Sequence, residues 1–282
     1  MEPTKGRADM PATPEEFARG VLDGYRGLSD LGEKSLLASG YVSLAKAHEA
    51  RSTGHPSFAN LPVGATSHCD AAVVFFDLTN FTSRSFWDPP DSVVRLARAV
   101  LTQLIEVVHD FGGHVLGLRG DGVFSCFGGP ESVTSAVDVA GALGACAWAM
   151  DAVQGALNNL LALDGLEPVQ LRAGADYGRL DFCNTGAGEV NEVNVLGFAA
   201  NFAAKCEKTA ASWEVVVGEE LARRVSNPAL ISEHADSPKT YQRNYEQRMY
   251  RFFDLRWQSI VPHANGVRED LNGHPISSVR LI

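Results

Sequence analysis

Asp77 ends the apolar run Ala71-Ala72-Val73-Val74-Phe75-Phe76, and Asp121 stands between two glycines in Arg119-Gly120-Asp121-Gly122-Val123. A carboxylate at the polar end of a buried strand is presented to solvent from a fixed backbone. Two such carboxylates brought to one point repel each other unless cations sit between them, which suits a pair of divalent metal ions. The loop after the first, Leu78-Thr79-Asn80-Phe81-Thr82-Ser83, offers backbone N–H groups and hydroxyls ahead of a helix, the groups that phosphate oxygens seek. Each feature alone has an ordinary explanation, because Asp caps helices and Gly-Asp-Gly is common hairpin chemistry. A site requires that they converge.

Convergence depends on the elements between them. The run 70–78 has the continuous apolar character of a strand buried on both faces. Val93, Leu96, Ala97, Val100, Leu104, Val107, Val108 and Phe111 follow at helical spacing, stopped by Gly112-Gly113. His114–Leu118 and Gly122–Phe127 read as a hairpin, and a second long helix is expected over 131–161. Val169–Tyr177 and Gly178–Cys183 read as two successive strands, Asn191–Leu196 as another, 197–209 as a helix, Trp213–Val217 as a strand and Gln247–Trp257 as one late strand. The order β-α-β-β-α-β is that of an α+β, ferredoxin-like sheet with helices on one face. In that topology the first two strands are parallel, with the third between them, so Asp77 and Asp121 emerge at one sheet edge.

The remainder bounds the function. Thr13-Pro14-Glu15-Glu16 caps and opens a helix with Phe17, Val21, Leu22 and Tyr25 on one face, a second helix is expected from Asp30 to about Ala50, and 52–68 is a Gly/Pro-rich connector. With 24 Lys plus Arg against 34 Asp plus Glu, the formal charge is −10 and no basic stripe for a polynucleotide occurs. No uninterrupted apolar run of membrane-spanning length is visible, and the five scattered cysteines suggest neither a disulfide framework nor a zinc site, which fits a reducing cytoplasm. Residues 227–242 and the tail after His263 carry no functional signal.

Four blocks resemble the class III nucleotidyl cyclases: Phe75-Phe76-Asp77-Leu78-Thr79-Asn80-Phe81-Thr82; Gly112-Gly113-His114-Val115 through Gly120-Asp121-Gly122-Val123-Phe124-Ser125-Cys126-Phe127; Arg172-Ala173-Gly174-Ala175 with Gly178; and Val195-Leu196-Gly197-Phe198-Ala199-Ala200-Asn201-Phe202-Ala203-Ala204-Lys205. The resemblance runs from about 70 to 220. It implies an N-terminal helical extension and connector over 1–68, a cyclase domain over 69–258 with added C-terminal strands, and a tail over 259–282. It further implies that Asp77 and Asp121 bind two Mg²⁺ or Mn²⁺ ions per site, that Leu78, Phe81 and Thr82 meet the nucleotide, and that the product is a 3′,5′-cyclic nucleotide plus pyrophosphate.

In that family an Asn that orients the ribose and an Arg four residues later reach the site from the partner of a head-to-tail homodimer. Asn201 matches the first. Lys205 occupies the second position, keeping the cation without the planar fork of Arg. Purine cyclases of the family carry a Lys four residues before the second metal Asp and an Asp or Thr seven before the ribose Asn; here these are Gly117 and Asn194. Loss of that Lys disfavours ATP, and no matching acidic group favours GTP. The chain is most similar to the bacterial pyrimidine cyclases of the Pycsar antiphage system, whose cyclic product activates a downstream effector. Asn194 is the leading base reader, with UTP preferred to CTP. Cytidylate cyclase, adenylate cyclase and a catalytically inactive regulatory module with this fold are the alternatives.

Overall fold

The computed structural model describes residues 13–30, 53–187, 190–271 and 282. The second N-terminal helix expected up to Ala50, and the tail of residues 1–12, fall outside these apart from Asp30. α1 (Pro14–Asp30) opens on a reciprocal capping box, in which Glu16 N–H donates to Thr13 Oγ1 (3.3 Å) and Thr13 N–H to Glu16 Oε2 (3.2 Å). β1 (Thr66–Thr79) contains the apolar run, and α2 (Phe81–Trp87) and α3 (Pro90–Asp110) follow it. β2 (Gly113–Arg119) and β3 (Gly122–Phe127) form the expected hairpin.

The second long helix is α4 (Ser135–Ala152), a π turn (Val153–Leu157) and α5 (Asn158–Leu163) in succession. It is long and apolar enough to cross a membrane, with mean hydropathy 1.4, yet 83% of that window is buried inside the fold. A helix apolar on every side serves in this way as the core of a domain. Then come β4 (Gln170–Ala187), β5 (Val190–Leu196), α6 (Phe198–Thr209), β6 (Val215–Gly218), the short α7 (Glu219–Ala222) and β7 (Ile231–Glu233). The chain continues through β8 (Lys239–Arg243), β9 (Glu246–Tyr250), β10 (Phe252–Leu255) and α8 (Val261–Leu271).

The main sheet has the order β2-β3-β1-β4-β6-β10-β7, with β5 paired to the far half of β4. The first four strands are the β-α-β-β-α-β core: β1 lies between β3 and β4 and is antiparallel to both. Two expectations are corrected here. The two strands expected at 169–183 are one, because Gly178 takes φ +156 and the strand continues where a side chain would not fit comfortably, a Cβ there lying 3.3 Å from that of Ala199. The late strand is divided at Arg251, with β9 in a separate two-stranded sheet beside β8 and β10 in the main sheet.

Helices also cover both faces of the sheet, not one. Alternate residues of β1 separate into two cores. Ala72, Val74, Phe76 and Leu78 join the large cluster built with α1, α3, α4 and the π turn, where Phe17 meets Trp148 edge-on at 5.7 Å. Cys69, Ala71 and Val73 join a smaller cluster with Ala199, Ala200 and Ala203 of α6. That helix sits close to the sheet because β4 offers Gly174, where a Cβ would lie 2.0 Å from the backbone nitrogen of Glu207. Asp77 has the parity of the α6 face.

Candidate active site

The glycines around Asp121 explain its placement. Gly120 adopts φ +62 to make the turn, and Gly122 passes so close to β1 that a Cβ would stand 2.7 Å from the carbonyl oxygen of Phe76. Asp77 is the register partner of Gly122, and Leu78 N–H donates to the carbonyl oxygen of Asp121 at 3.3 Å. The two aspartates are therefore neighbours at one end of the β1–β3 pair. They line a cleft of about 570 Å³ together with residues 78–83, Arg172 and Ala210–Ser212. The cleft thus gathers Asp77, Asp121, Leu78, Phe81 and Thr82. Asn80 takes a left-handed conformation (φ +61), which Asn tolerates, and α2 begins at the next residue, leaving the N–H groups of Phe81, Thr82 and Ser83 without acceptors inside the helix.

Charge in this cleft is unbalanced. Burial, and then the neighbouring charge of Asp77, raise the pKa of Asp121. Asp77 is opposite Arg172 on β4, whose Nε and Nη2 donate to Asp77 Oδ2 at 2.9 and 2.7 Å. Arg172 Nη2 also lies 2.7 Å from Glu207 Oε1, an ion contact off the hydrogen-bonding direction. Burial and then the charge of Asp77 push Glu207 up to about 7. One guanidinium thus contacts two carboxyl groups, Asp77 and Glu207, and makes no ion pair with Asp121.

This donor set fits a divalent cation. Asp121 has no ion pair among the described residues, and Mg²⁺ is commonly held by one or two carboxylates with substrate phosphates and water completing its shell. No trio of His, Cys, Asp or Glu among the described residues makes an all-protein cage. Beside the cleft, Thr79 Oγ1 and Ser212 Oγ are 2.7 Å apart, and Ser212 and Asn80 both donate to Gln170 Oε1, at 3.0 and 2.6 Å.

The other sequence-selected residues stand apart from the aspartates. Asn201 and Lys205 lie four apart on the exposed side of α6, outside the cleft that holds the two aspartates. Lys205 lines a second cleft, of about 390 Å³, with Phe202, Lys208, Lys239 and Phe252. Gly117 sits beside a bulge in β2, opposite Phe124, with nothing within 4 Å of where a Cβ would be; a longer side chain is absent there for no steric reason. Asn194 pairs with Cys183, which pairs with Thr66, eleven residues along β1 from Asp77. At about 3.3 Å per residue that is about 36 Å, farther than one nucleotide reaches.

Three residues at or beside these clefts had no assigned role in the sequence. Arg172 is visible as part of Arg-Ala-Gly-Ala, but its duty depends on strand register. Glu207 carried no sequence signal, since its partners come from β1 and β4. Tyr241 lies in the polar stretch that gave none either; its hydroxyl accepts a hydrogen bond from Lys205 Nζ at 2.8 Å.

No family model matches the chain. In sequence it is 23% identical over 236 residues to a cytidylate cyclase from Escherichia coli, covering 77% of this chain and 51% of that protein. It is 24% identical over 158 residues to a cytidylate cyclase from Staphylococcus aureus, covering 55% of this chain and 37% of that one. The chain spans about half the length, or less, of these curated relatives. Among solved structures, a bacterial light-regulated adenylyl cyclase matches 86% of the chain and 70% of its own length at a TM-score of 0.62 and 16% identity. The adenylyl cyclase CyaB from P. aeruginosa matches 68% and 95% at 0.59 and 19% identity. The guanylate cyclase domain of RhGC from Catenaria anguillulae, in complex with GTP, matches 67% and 97% at 0.53 and 14% identity.

Proposed function

We propose that this chain, which has the class III nucleotidyl cyclase fold, cyclises a pyrimidine nucleoside triphosphate to its 3′,5′-cyclic monophosphate with release of pyrophosphate. The observation that carries the reading is the pair Asp77 and Asp121 at one open cleft with too little positive charge around them. Asp77 and Asp121 would hold Mn²⁺ or Mg²⁺, which when bound would supply Lewis acidity toward the ribose 3′-hydroxyl and positive charge for the triphosphate. The residues of this chain do the rest. Arg172 fixes Asp77 through Oδ2, and the 78–83 loop meets the phosphates. Asn201 orients the ribose, and Lys205 offsets charge on the phosphate under attack.

Asp77 and Asn194 are too far apart to serve one nucleotide from a single chain, so two chains in a homodimer complete each site, one giving the aspartates and the other Asn194, Asn201 and Lys205. The amide of Asn194 satisfies a uracil or a cytosine edge equally well. Both curated relatives bear the name cytidylate cyclase, so CTP stands level with UTP as the substrate and the expected preference for UTP has no support from geometry. The product is a messenger for a separate effector, in keeping with the antiphage systems that the sequence resembles. Incubation with each of the four ribonucleoside triphosphates and Mn²⁺, with chromatography of the products, tests the reading: cCMP or cUMP is expected. Predominant cAMP or cGMP would refute the pyrimidine assignment, and nucleotide binding without any product would make the chain a binding module.

A further inference from the structure

Lys205 stands where an arginine is the expected group, and the two cations differ in more than size. A guanidinium carries its direction in a rigid plane, whereas an ammonium is a point charge on four rotatable bonds. A lysine on an exposed helix face spreads over many rotamers, and immobilising it costs entropy. Here something outside the helix holds it. Lys205 Nζ donates to Tyr241 Oη at 2.8 Å and stands 4.6 Å from the centroid of the same ring, so hydroxyl and ring face both attract it.

Tyr241 is itself held. It belongs to β8, opposite Arg248 of β9, and meets the ring of Phe198 at 6.1 Å. A two-stranded hairpin is marginal by itself, and this one is tied to the domain by its last residue. The Tyr250 hydroxyl donates to the buried carboxylate of Asp176 at 2.9 Å and accepts from Glu220 N–H at 3.0 Å, while its ring packs on Phe202 at 4.4 Å and Phe198 at 4.8 Å. The connection runs from a buried acid on β4, through Tyr250, along the hairpin to Tyr241, and ends at the ammonium of Lys205.

We infer that Tyr241 is a positioning residue for Lys205, giving a lysine the fixed direction that an arginine would carry in its own plane. The inference rests on the cyclase reading above. Its test is steady-state kinetics of the full-length chain with Mn²⁺ and whichever pyrimidine triphosphate it turns over. Tyr241→Phe and Tyr241→Leu are measured in the native background and again beside Lys205→Arg, with thermal melting as a control on folding. Tyr241→Leu is expected to lower kcat on the order of 10²-fold, the scale for a misplaced group, with KM changed by less than about threefold. Tyr241→Phe, which keeps the ring, falls between. In the Lys205→Arg background the same Tyr241→Leu change is expected to move kcat by less than about threefold, because the guanidinium brings its own rigidity.

Equal losses in both backgrounds would mean that Tyr241 merely supports the fold, and no loss in either would mean that Lys205 needs no holder; each overturns the inference and leaves the cyclase reading standing. Absence of any cyclic product from the unaltered chain would overturn both.

Discussion

Along β4 the two faces of the sheet can be read residue by residue. Leu171, Ala173, Ala175 and Tyr177 point into the large core beneath α3 and α4, while Arg172, Gly174, Asp176 and Gly178 alternate with them on the α6 side. One face is closed by α1 over a continuous apolar layer and holds the fold. The other is spare: glycines let a helix come close, and the charged residues between them serve Asp77 and the β8–β9 hairpin. The larger core and the cleft of the two aspartates thus lie on opposite sides of the same strands.

The contrast can be broken most sharply at the aspartates. Asp77→Ala or Asp121→Ala is expected to lower turnover by a thousandfold or more, since several kcal/mol of charge stabilisation at about 1.4 kcal/mol per decade would go with the proposed metal ion. Melting should change little, because neither side chain is part of a core. A variant that kept measurable fractions of native turnover would end the metal assignment.

On the closed face the reverse is expected. Phe17→Ala empties a fully buried site against Trp148 and should cost about 3–5 kcal/mol, read as a lower urea midpoint. Turnover per folded molecule should stay native. A large fall in that rate would show that the faces are less independent than their packing suggests.

A third test concerns pH. Burial pushes Asp176 up to about 7, against an ordinary carboxylate in the unfolded chain. Below about pH 4 both states hold the proton and Asp176 costs the fold nothing; from there to about pH 7 the unfolded chain ionises more readily, so the contribution of Asp176 to stability falls as pH rises. Asp176→Asn removes this titration, and its urea midpoints at pH 5 and pH 8 should lie closer together than those of the native chain. An unchanged gap would mean that Asp176 is ionised in the fold.

The smallest expected signal comes from complementation across the dimer. Mixing Asp77→Ala chains with Asn201→Ala chains gives heterodimers with one intact site, so about a quarter of native activity should return after random exchange of subunits. No recovery after demonstrated exchange would place all the residues of each site in one chain.

What the sequence revealed follows from how far each feature reaches. β1, α3, the β2–β3 hairpin and the box at Thr13 depend on neighbours a few residues away, and their periodicity was sufficient to read them. The convergence of Asp77 and Asp121 followed once the strand order was known. The position of α6 on the second face was not legible, because its short alanine-rich stripe fits either side and the deciding contact, Gly174 against Glu207, joins residues that no local pattern links. The break at Arg251 was hidden for a related reason: Tyr250 and Phe252 continue one apolar alternation although the first belongs to the hairpin and the second to the main sheet.

Gly117 also bears on the edge of the sheet. β2 is a free edge of the main sheet, and an even edge strand is a template for adding another chain. The bulge between Val115 and Gly117 interrupts its register, and Gly54 N–H caps the carbonyl of Val115 at 2.7 Å, so the connector covers part of what the bulge leaves. At the opposite edge β7 is only three residues long. Neither of these two borders offers a run of regular, open backbone, which leaves β5, paired on one side only among the described residues, as the longest even edge of the sheet.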